Sequence, residues 1–144
     1  MIACTIHEGL SDDLRWLLRQ IPEFQLPVNV DEVERRTEGV PHLLLTACID
    51  GQPVGYKLGY EREGDFYSWL GGVLPAYRRR GVATWLADYQ EAWAKKAGYR
   101  RIRMKTQNCF PNMIIMAVKR GFQVVEFDAR DRISDHGIVL GKSI

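Results

Sequence analysis

Apolar residues cluster in β-rich runs through the middle of the chain and recur at helical spacing on either side of it. The runs HLLLTACI (42–49) and PVGYKLGY (53–60) are rich in strand-forming residues, and the Asp50-Gly51 pair between them is a strong hairpin signal. FYSWLGGV (66–73) is a third such run, set off by the polar segment EREGD. The pattern predicts an antiparallel meander of three strands.

Helical spacing predicts two short helices before the meander and two longer ones after it. SDDLRWLLRQIPEF begins a helix with Ser11 as its N-cap, and a second helix runs from about residue 31 to 37. From Val82 onward the apolar period is again helical, and PNMIIMAVKRG has Pro111 in its first turn and Gly121 beyond its end. The predicted apolar stripe of the third helix consists of Val82, Leu86, Tyr89, Trp93 and Ala97.

Four further strands complete the predicted architecture. They are residues 2–6, RRIRMKT (100–106), FQVVEFD (122–128) and HGIVLGK (136–142). Strands in series, followed by alternating helices and strands, predict an α/β or α+β fold with a mixed, largely antiparallel sheet. With no repeat, low-complexity tract or linker, residues 1–144 are expected to form a single domain.

Composition narrows the class of protein without naming a function. Hydrophobic residues make up 46% and charged residues 26%, and a net charge of +2 excludes a broad basic surface of the kind nucleic-acid binders carry. Cys4, Cys48 and Cys109 lack metal-ligand spacing, which favours a reducing compartment and no metal. There is no signal-peptide pattern and no apolar run of the ~20 residues that span a membrane. We therefore expect a cytoplasmic protein that binds neither membrane nor nucleic acid.

The stretch GVLPAYRRRGVATWL (72–86) places three arginines and a glycine where a strand gives way to a helix. The first N–H groups of a helix lack intrahelical partners and carry the positive end of its dipole. Gly81 lets the backbone approach a ligand closely. The amides of about residues 79–84 are therefore a candidate phosphate cradle. The alternative is a solvated charge run beside a turn glycine, since the stretch matches neither a P-loop nor a G-x-G-x-x-G motif.

VLPAYRRRGVATWL resembles the acyl-CoA pyrophosphate motif, [R/Q]-x-x-G-x-[G/A], of the GNAT acetyltransferase superfamily. The matching residues are Arg78, Gly81 and Ala83, with Val73, Pro75 and Tyr77 fitting the lead-in. Downstream, AWAKKAGYRRIRMKTQN and MAVKRGF are similar to the family's helix, next strand and terminal G-F segment. The resemblance covers about residues 42–125 and implies a GNAT-like fold.

The resemblance also implies a binding site for acetyl-CoA as co-substrate. Acyl-CoA lies in a V-shaped opening in this superfamily, here between strands 66–73 and 100–106. The pantetheine arm would contact the backbone of Gly71, Gly72 and Val73, and the pyrophosphate would be held by Arg78, Arg79, Arg80, Gly81, Val82, Ala83 and Thr84. Independently, paired glycines in a strand indicate a bulge or a close backbone approach. A simple edge bulge accounts for the same pair.

The catalytic residues of the family are not all present. The tyrosine that acts as its acid, four residues before the G-F glycine, is replaced by Ala117. At the positions where family members carry a glutamate base, this chain has Tyr67 on one strand and Arg103 or Lys105 on the other. Tyr67 is the candidate acid or base, with a packed strand aromatic as its alternative. Catalysis by positioning, with water carrying protons, is the other alternative.

The family asparagine lies eleven residues before the G-F glycine, a position that holds Phe110 here. TQNCFPNM is therefore shifted or carries a small insertion, and Asn108, just past the strand end, is the candidate contact to the pantetheine arm.

Three functions follow. The first is an N-acetyltransferase that moves an acetyl group from acetyl-CoA to an amine of a small molecule or peptide by direct attack. The second is a domain of this fold that binds acyl-CoA as a sensor, because the tyrosine and glutamate are absent. The third is a small nucleic-acid-binding domain that uses residues 78–80 and 100–103, which the balance of acids and bases disfavours.

The acceptor and the assembly are less defined by the sequence. The acceptor pocket is expected from the N-terminal helices, the segment IPEFQLPVNV (21–30), and the loop DARDRISD (128–135), with Phe24 and Trp69 as apolar wall. The resemblance leaves a homodimer open.

Overall fold

The structure, a computed structural model, describes residues 4–21 and 28–144 and contains one seven-stranded sheet with helices on both faces. The strands are β1 (Cys4–Glu8), β2 (His42–Ile49), β3 (Gln52–Arg62), β4 (Asp65–Val73), β5 (Arg101–Gln107), β6 (Gln123–Asp128) and β7 (Gly137–Ser143). The α-helices are α1 (Asp12–Gln20), α2 (Val30–Thr37), α3 (Val82–Lys96) and α4 (Pro111–Lys119). Short 3₁₀ turns occupy Pro75–Tyr77 and Ile133–Asp135.

The sheet order is β1-β2-β3-β4-β5-β7-β6, and only the β4–β5 pair is parallel. The predicted meander and the mixed, largely antiparallel sheet are therefore confirmed. Asp50 (φ 51°) and Gly51 (φ 78°) form the predicted tight hairpin, both in the left-handed conformation that two-residue turns need. The next connection is shorter than EREGD suggested. β3 continues to Arg62, and the turn consists of Glu63 (φ 53°) and Gly64 (φ 84°).

β4 and β5 separate after a short paired segment, as the resemblance implied. Their register covers three residue pairs, the last of which joins Ser68 to Met104. On the other edge of β4, Gly59 pairs with Ser68 while Leu58 pairs with Leu70, so Trp69 is an extra residue. Such a bulge bends its strand and increases the local twist. The bulge thus lies before the glycine pair, at the position where β4 leaves β5.

The core has one apolar cluster on each face of the sheet. On the first face, Leu14, Leu17 and Leu18 of α1 pack with Val33 of α2 and with β-strand residues that include Tyr56, Leu58 and Leu70. On the second face, α3 and α4 pack on residues that include Phe66, Ile102 and Leu140. The Ser11 hydroxyl accepts from the Leu14 N–H at 3.1 Å, so the predicted N-cap starts α1. The bulged strand therefore lies between two packed layers.

The predicted apolar stripe of α3 is partly wrong. The buried residues of this helix are Val82, Leu86, Ala87, Gln90 and Ala94, whereas Tyr89 is 38% exposed. Ala87 and Ala94 occupy buried positions of this helix, and the bulky aromatics lie beside them. Trp93 packs at the flank, with its ring 5.4 Å from that of Phe66. Gln90 is thereby carried into the interior.

Across the described residues, no helix is both long and apolar enough to cross a membrane. The three cysteines are free thiols. Within the same ranges, no group of three or more histidine, cysteine, aspartate or glutamate side chains is placed to hold a metal ion.

Candidate functional site

An open edge of β4 forms one wall of a cleft between β4 and β5. Beyond Ser68, no described strand pairs with this edge of β4. The two glycines on it serve different purposes. A Cβ on Gly72 would lie 2.6 Å from Cγ2 of Ile21, so packing requires glycine there. A Cβ on Gly71 would meet nothing closer than 3.4 Å, and this exposed glycine leaves the open edge accessible.

The loop from β4 to α3 presents a run of backbone amides at the mouth of the cleft. Arg79 (φ 62°) and Gly81 (φ 85°) are both left-handed, and the first N–H to bond into the helix is that of Trp85, to the Gly81 carbonyl at 3.0 Å. Gly81 is the N-cap and contributes no capping side chain. For the amides of residues 79–84, no described residue provides an acceptor. Free amides beside left-handed residues at a helix N-terminus form an anion-binding concavity.

The three arginines of this loop have different surroundings. Arg78 Nε donates to the Val73 carbonyl at 3.1 Å, and the Arg80 guanidinium lies 5.3 Å from the ring centroid of Tyr77. Arg79 is exposed and makes no hydrogen bond or ion pair with any described residue. Arg78 and Arg80 thus have contacts within the loop, whereas Arg79 has none in the described chain, and the binding of the pyrophosphate by all three stays a prediction.

A small cavity lies at the inner end of the cleft, between the sheet and helices α3 and α4. The space open to water centres is about 30 Å³, enough for an ordered water. It is lined by Lys57, Ser68, Ala87, Gln90, Glu91, Ile102, Met104, Met113, Met116, Ala117, Arg120 and Phe122. Ala117, 3% exposed, thus contributes only a methyl group to this cavity. The position of the family's tyrosine acid is therefore apolar here.

Lys57 is a cation in this cavity that sequence reasoning missed. Its Nζ lies 3.8 Å from the position that a Cβ on Gly71 would occupy, so the amine is beside the open edge of β4. Burial and the nearby Arg120 lower the pKa of Lys57 to about 8, against an opposing effect of Glu91. A signal was available in PVGYKLGY, where a single cation interrupts an otherwise uncharged strand.

The charges around Lys57 are already paired with one another. Glu91 accepts from Lys142 Nζ at 2.9 Å and lies 3.0 Å from a terminal nitrogen of Arg120, and that guanidinium also bonds Asp88 at 2.9 Å. Lys57 itself makes no ion pair or hydrogen bond with a described residue. Nε2 of Gln90, a residue only 1% exposed, also has no partner in the described chain. The cavity therefore holds polar groups with unused hydrogen-bonding capacity.

A larger cavity of about 240 Å³ lies on the opposite face of the same two strands. Its lining consists of Arg62, Glu63, Tyr67, Arg103, Lys105, Glu126 and Val139. The ring of Tyr67 contacts that of Tyr60 at 5.6 Å and the Arg62 guanidinium at 5.3 Å. The candidate acid or base is therefore a half-buried aromatic in a charged cavity.

The cations of this cavity are paired with acids. Arg103 lies 3.3 Å from Glu126 and 3.9 Å from Asp65, and Lys105 lies 3.6 Å from Asp128. Glu126 was not singled out by the sequence, because only the pairing of β6 with β7 brings it beside β5.

Asn108 connects the end of β5 to the loop before β7. Its side-chain NH₂ donates to the Ile133 carbonyl at 2.9 Å, and its backbone N–H donates to the His136 carbonyl at 3.1 Å. Its contact with a pantetheine arm stays a prediction.

Of the two residues expected to form the apolar wall of the acceptor pocket, Trp69 lies under the Arg36 guanidinium at 4.5 Å, whereas Phe24 falls outside the described residues.

Comparison with known proteins agrees with this geometry. The model of the acetyltransferase (GNAT) family matches residues 11–122. Among solved structures, the ribosomal-protein-S18-alanine N-acetyltransferase from Escherichia coli superposes with a TM-score of 0.83 at 14% identity, over 99% of this chain and 94% of that one. Ard1 from Thermoplasma volcanium superposes with a TM-score of 0.81 at 18% identity, over 99% of this chain and 98% of that one.

A GNAT family acetyltransferase from Elizabethkingia anophelis, solved with acetyl-CoA bound, gives a TM-score of 0.79 at 15% identity, over 98% of each chain. No curated protein sequence is similar enough to count as a match. At these identities the solved structures show a shared fold.

Proposed function

Because the chain belongs to the acetyltransferase (GNAT) family, we propose that it transfers an acetyl group from acetyl-CoA to the amine of a small molecule or peptide. The observation that carries the proposal is the continuity of the open edge of β4 with the unpaired amides at the start of α3. A structural neighbour that contains acetyl-CoA supports the choice of co-substrate.

In this proposal the loop between β4 and α3 holds the pyrophosphate. The amides of residues 79–84 donate to it, with Gly81, Val82, Ala83 and Thr84 at the positive end of the helix dipole. Arg79 adds a free guanidinium, whose fork geometry suits phosphate. Along the open edge, the backbone of Gly71, Gly72 and Val73 pairs with the pantetheine arm as a neighbouring strand would.

The reaction is direct attack of the acceptor nitrogen on the thioester carbonyl. A bond forms from nitrogen to the carbonyl carbon, the carbon–sulfur bond breaks, and the nitrogen loses a proton. The acceptor enters from the cavity that contains Tyr67, whose lining combines Glu63 and Glu126 with Arg62, Arg103 and Lys105. Tyr67 lines the same cavity, and in this proposal its hydroxyl passes on the proton that the nitrogen releases.

A matched pair of substitutions tests the binding site. Asn and Asp both tolerate the left-handed backbone of Gly81 better than other residues, and they differ only in charge. Titration calorimetry with CoA is expected to show weaker binding for Gly81→Asn and at least a further tenfold loss for Gly81→Asp, because the carboxylate repels the pyrophosphate. Equal affinities for the two variants would contradict the cradle.

The sensor remains the second candidate, favoured by the methyl group that Ala117 presents where a phenol is expected. Acetyl-CoA incubated with a panel of amines, amino acids and peptides distinguishes the two, since only an enzyme releases free thiol in step with an acceptor. A salt titration of oligonucleotide binding tests the nucleic-acid alternative, which predicts a steep salt dependence. The cytoplasmic location and the homodimer stay predictions.

A further inference from the structure

Lys57 lies where the thioester end of acetyl-CoA would lie in the proposed function. Its amine is beside Gly71 on the open edge of β4, and it lines the same small cavity as Ala117. The resemblance to the family places the leaving sulfur next to position 117, where a tyrosine would protonate it. A lysine on the neighbouring strand, facing the same point, can supply the proton that an alanine cannot.

We propose that Lys57 is the catalytic acid that protonates the CoA sulfur as the acetyl group leaves. The inference rests on the proposed function, because it requires the acetyl-thioester to occupy the cleft. It assigns acid and base to opposite faces of the sheet, with Lys57 on the α3–α4 face and Tyr67 in the cavity on the other face.

The groups that face Lys57 leave its amine free to act. From α3 these are Gln90 and Glu91, from the residue that follows α4 Arg120, and from β4 the hydroxyl of Ser68. Glu91 is ion-paired with Arg120 and with Lys142 of β7, and no close ion pair joins Glu91 to Lys57. The remaining lining is apolar, and neither an amide nor an aliphatic hydroxyl is an acid at neutral pH.

The acidity of Lys57 suits this task. Its pKa of about 8 is close to the ~8.5 of a cysteine thiol, and a general acid works best when its pKa is near the operating pH. An exposed lysine would hold its proton too tightly to give it to a thiolate. Burial beside Arg120 makes the ammonium a better donor.

Lys57 acts when the carbon–sulfur bond breaks. The acceptor nitrogen bonds to the carbonyl carbon, the carbon–sulfur electron pair goes to sulfur, and Lys57 Nζ gives its proton to that sulfur to form the CoA thiol. Lys57 is left as a neutral amine. The proton lost by the acceptor nitrogen leaves through Tyr67 or water on the other face, and Lys57 recovers a proton from solvent through the water-sized cavity.

A titration of the bound CoA thiol tests the proposal without knowledge of the acceptor. The thiolate has a characteristic ultraviolet absorbance, and a parallel titration with CoA that lacks sulfur removes the contribution of the three protein thiols. With an ammonium group close by, the bound thiol is expected to ionise at lower pH than free CoA. In Lys57→Met it should ionise at the pH of free CoA or above, whereas Lys57→Arg should retain the lowered value.

The same variants separate proton donation from charge alone. Arginine keeps its proton throughout the accessible pH range, so Lys57→Arg should be as slow in acetyl transfer as Lys57→Met, each at least tenfold below the parent. The KM for acetyl-CoA should change little. The exposed Lys119→Met removes the same charge elsewhere and should match the parent in both assays.

The outcomes keep the two proposals apart. If CoA does not bind the parent protein, the proposed function fails. If CoA binds and Lys57→Met leaves the thiol titration and kcat unchanged, the assignment of Lys57 fails while the proposed function stands. A slow Lys57→Met with a fully active Lys57→Arg would also overturn it, because charge without a transferable proton would then suffice.

Discussion

The two ends of the cleft are built in different ways. At the outer end, the site is made of backbone: unpaired amides of one continuous segment, set by two left-handed residues and a helix start. At the inner end, the groups that bear on chemistry are side chains from four different elements, among them Lys57 of β3, Gln90 of α3 and Ala117 of α4. The outer end retains the family's motif, and the inner end departs from it. Binding and chemistry are therefore expected to be separable by mutation.

The largest effect is expected on stability at the inner end. The gap between the Lys57 pKa of about 8 and its ordinary 10.5 corresponds to at most about 3 kcal/mol. The folded state binds this proton less tightly than the unfolded state, so the free energy of unfolding should rise with pH between about 8 and 10.5. Lys57→Met should stabilise the protein at pH 7 and lose that advantage above this window.

Urea unfolding at several pH values measures this effect, with Lys119→Met as the control for net charge. A Lys57→Met protein that is less stable than the parent at pH 7 would show that burial of the charged amine does not destabilise the fold. The inner end would then not differ from the outer end in this respect.

Restoring the family's tyrosine is expected to be unfavourable in this chain. Ala117 is 3% exposed and faces a space of only about 30 Å³, so a phenol does not fit without displacing Met113, Met116 or Lys57. Overpacking of this kind lowers the free energy of unfolding by about 1–3 kcal/mol. Thermal unfolding of Ala117→Tyr measures this loss of stability, with Ala117→Ser as the small polar control. A variant as stable as the parent would mean that the inner end has room for the usual acid.

Removal of one hydroxyl on the opposite face should slow the reaction at unchanged affinity. Tyr67→Phe keeps the ring contacts with Tyr60 and Arg62 and removes only the oxygen, so kcat should fall at least tenfold if the hydroxyl transfers a proton. CoA affinity by calorimetry should stay within about twofold. An unchanged kcat would make Tyr67 a packing residue and leave proton removal to water.

The smallest effect is expected among the arginines of the outer end. Arg79→Ala should weaken CoA binding about fivefold at low salt and less at high salt, as is typical of an exposed ion pair worth up to about 1 kcal/mol. Arg80→Ala serves as comparison, because its guanidinium lies over Tyr77 rather than in free solution. A larger loss for Arg80 than for Arg79 would mean that the loop shape matters more than the free charge.

The sequence predicts the outer end of the cleft better than the inner end. The outer end is local: strand, turn, Gly81 and helix follow one another, so motif and backbone rules are sufficient to predict its conformation. The inner end depends on which residues the fold brings together. Glu126 comes beside Arg103 only through the β5–β7–β6 order, and Lys57 comes beside the cleft through the register that pairs it with Gly71 of β4.

Helical periodicity failed at Tyr89 for a related reason. The apolar positions of α3 admit two adjacent stripes, and the one that contains the alanines is buried against the sheet. Which stripe is buried depends on the tertiary packing, and no short window of the sequence contains that information.

The most direct measurement is the response of the backbone amides of the ¹⁵N-labelled protein to CoA, followed by NMR. The amides of residues 79–84 should shift strongly as they bond the pyrophosphate, and Gly71 and Val73 should shift as the pantetheine arm pairs with β4. Gly81→Asp should abolish both responses. If CoA binds but leaves the amides of residues 79–84 unshifted and shifts those of the β5 arginines instead, the loop backbone does not hold the cofactor.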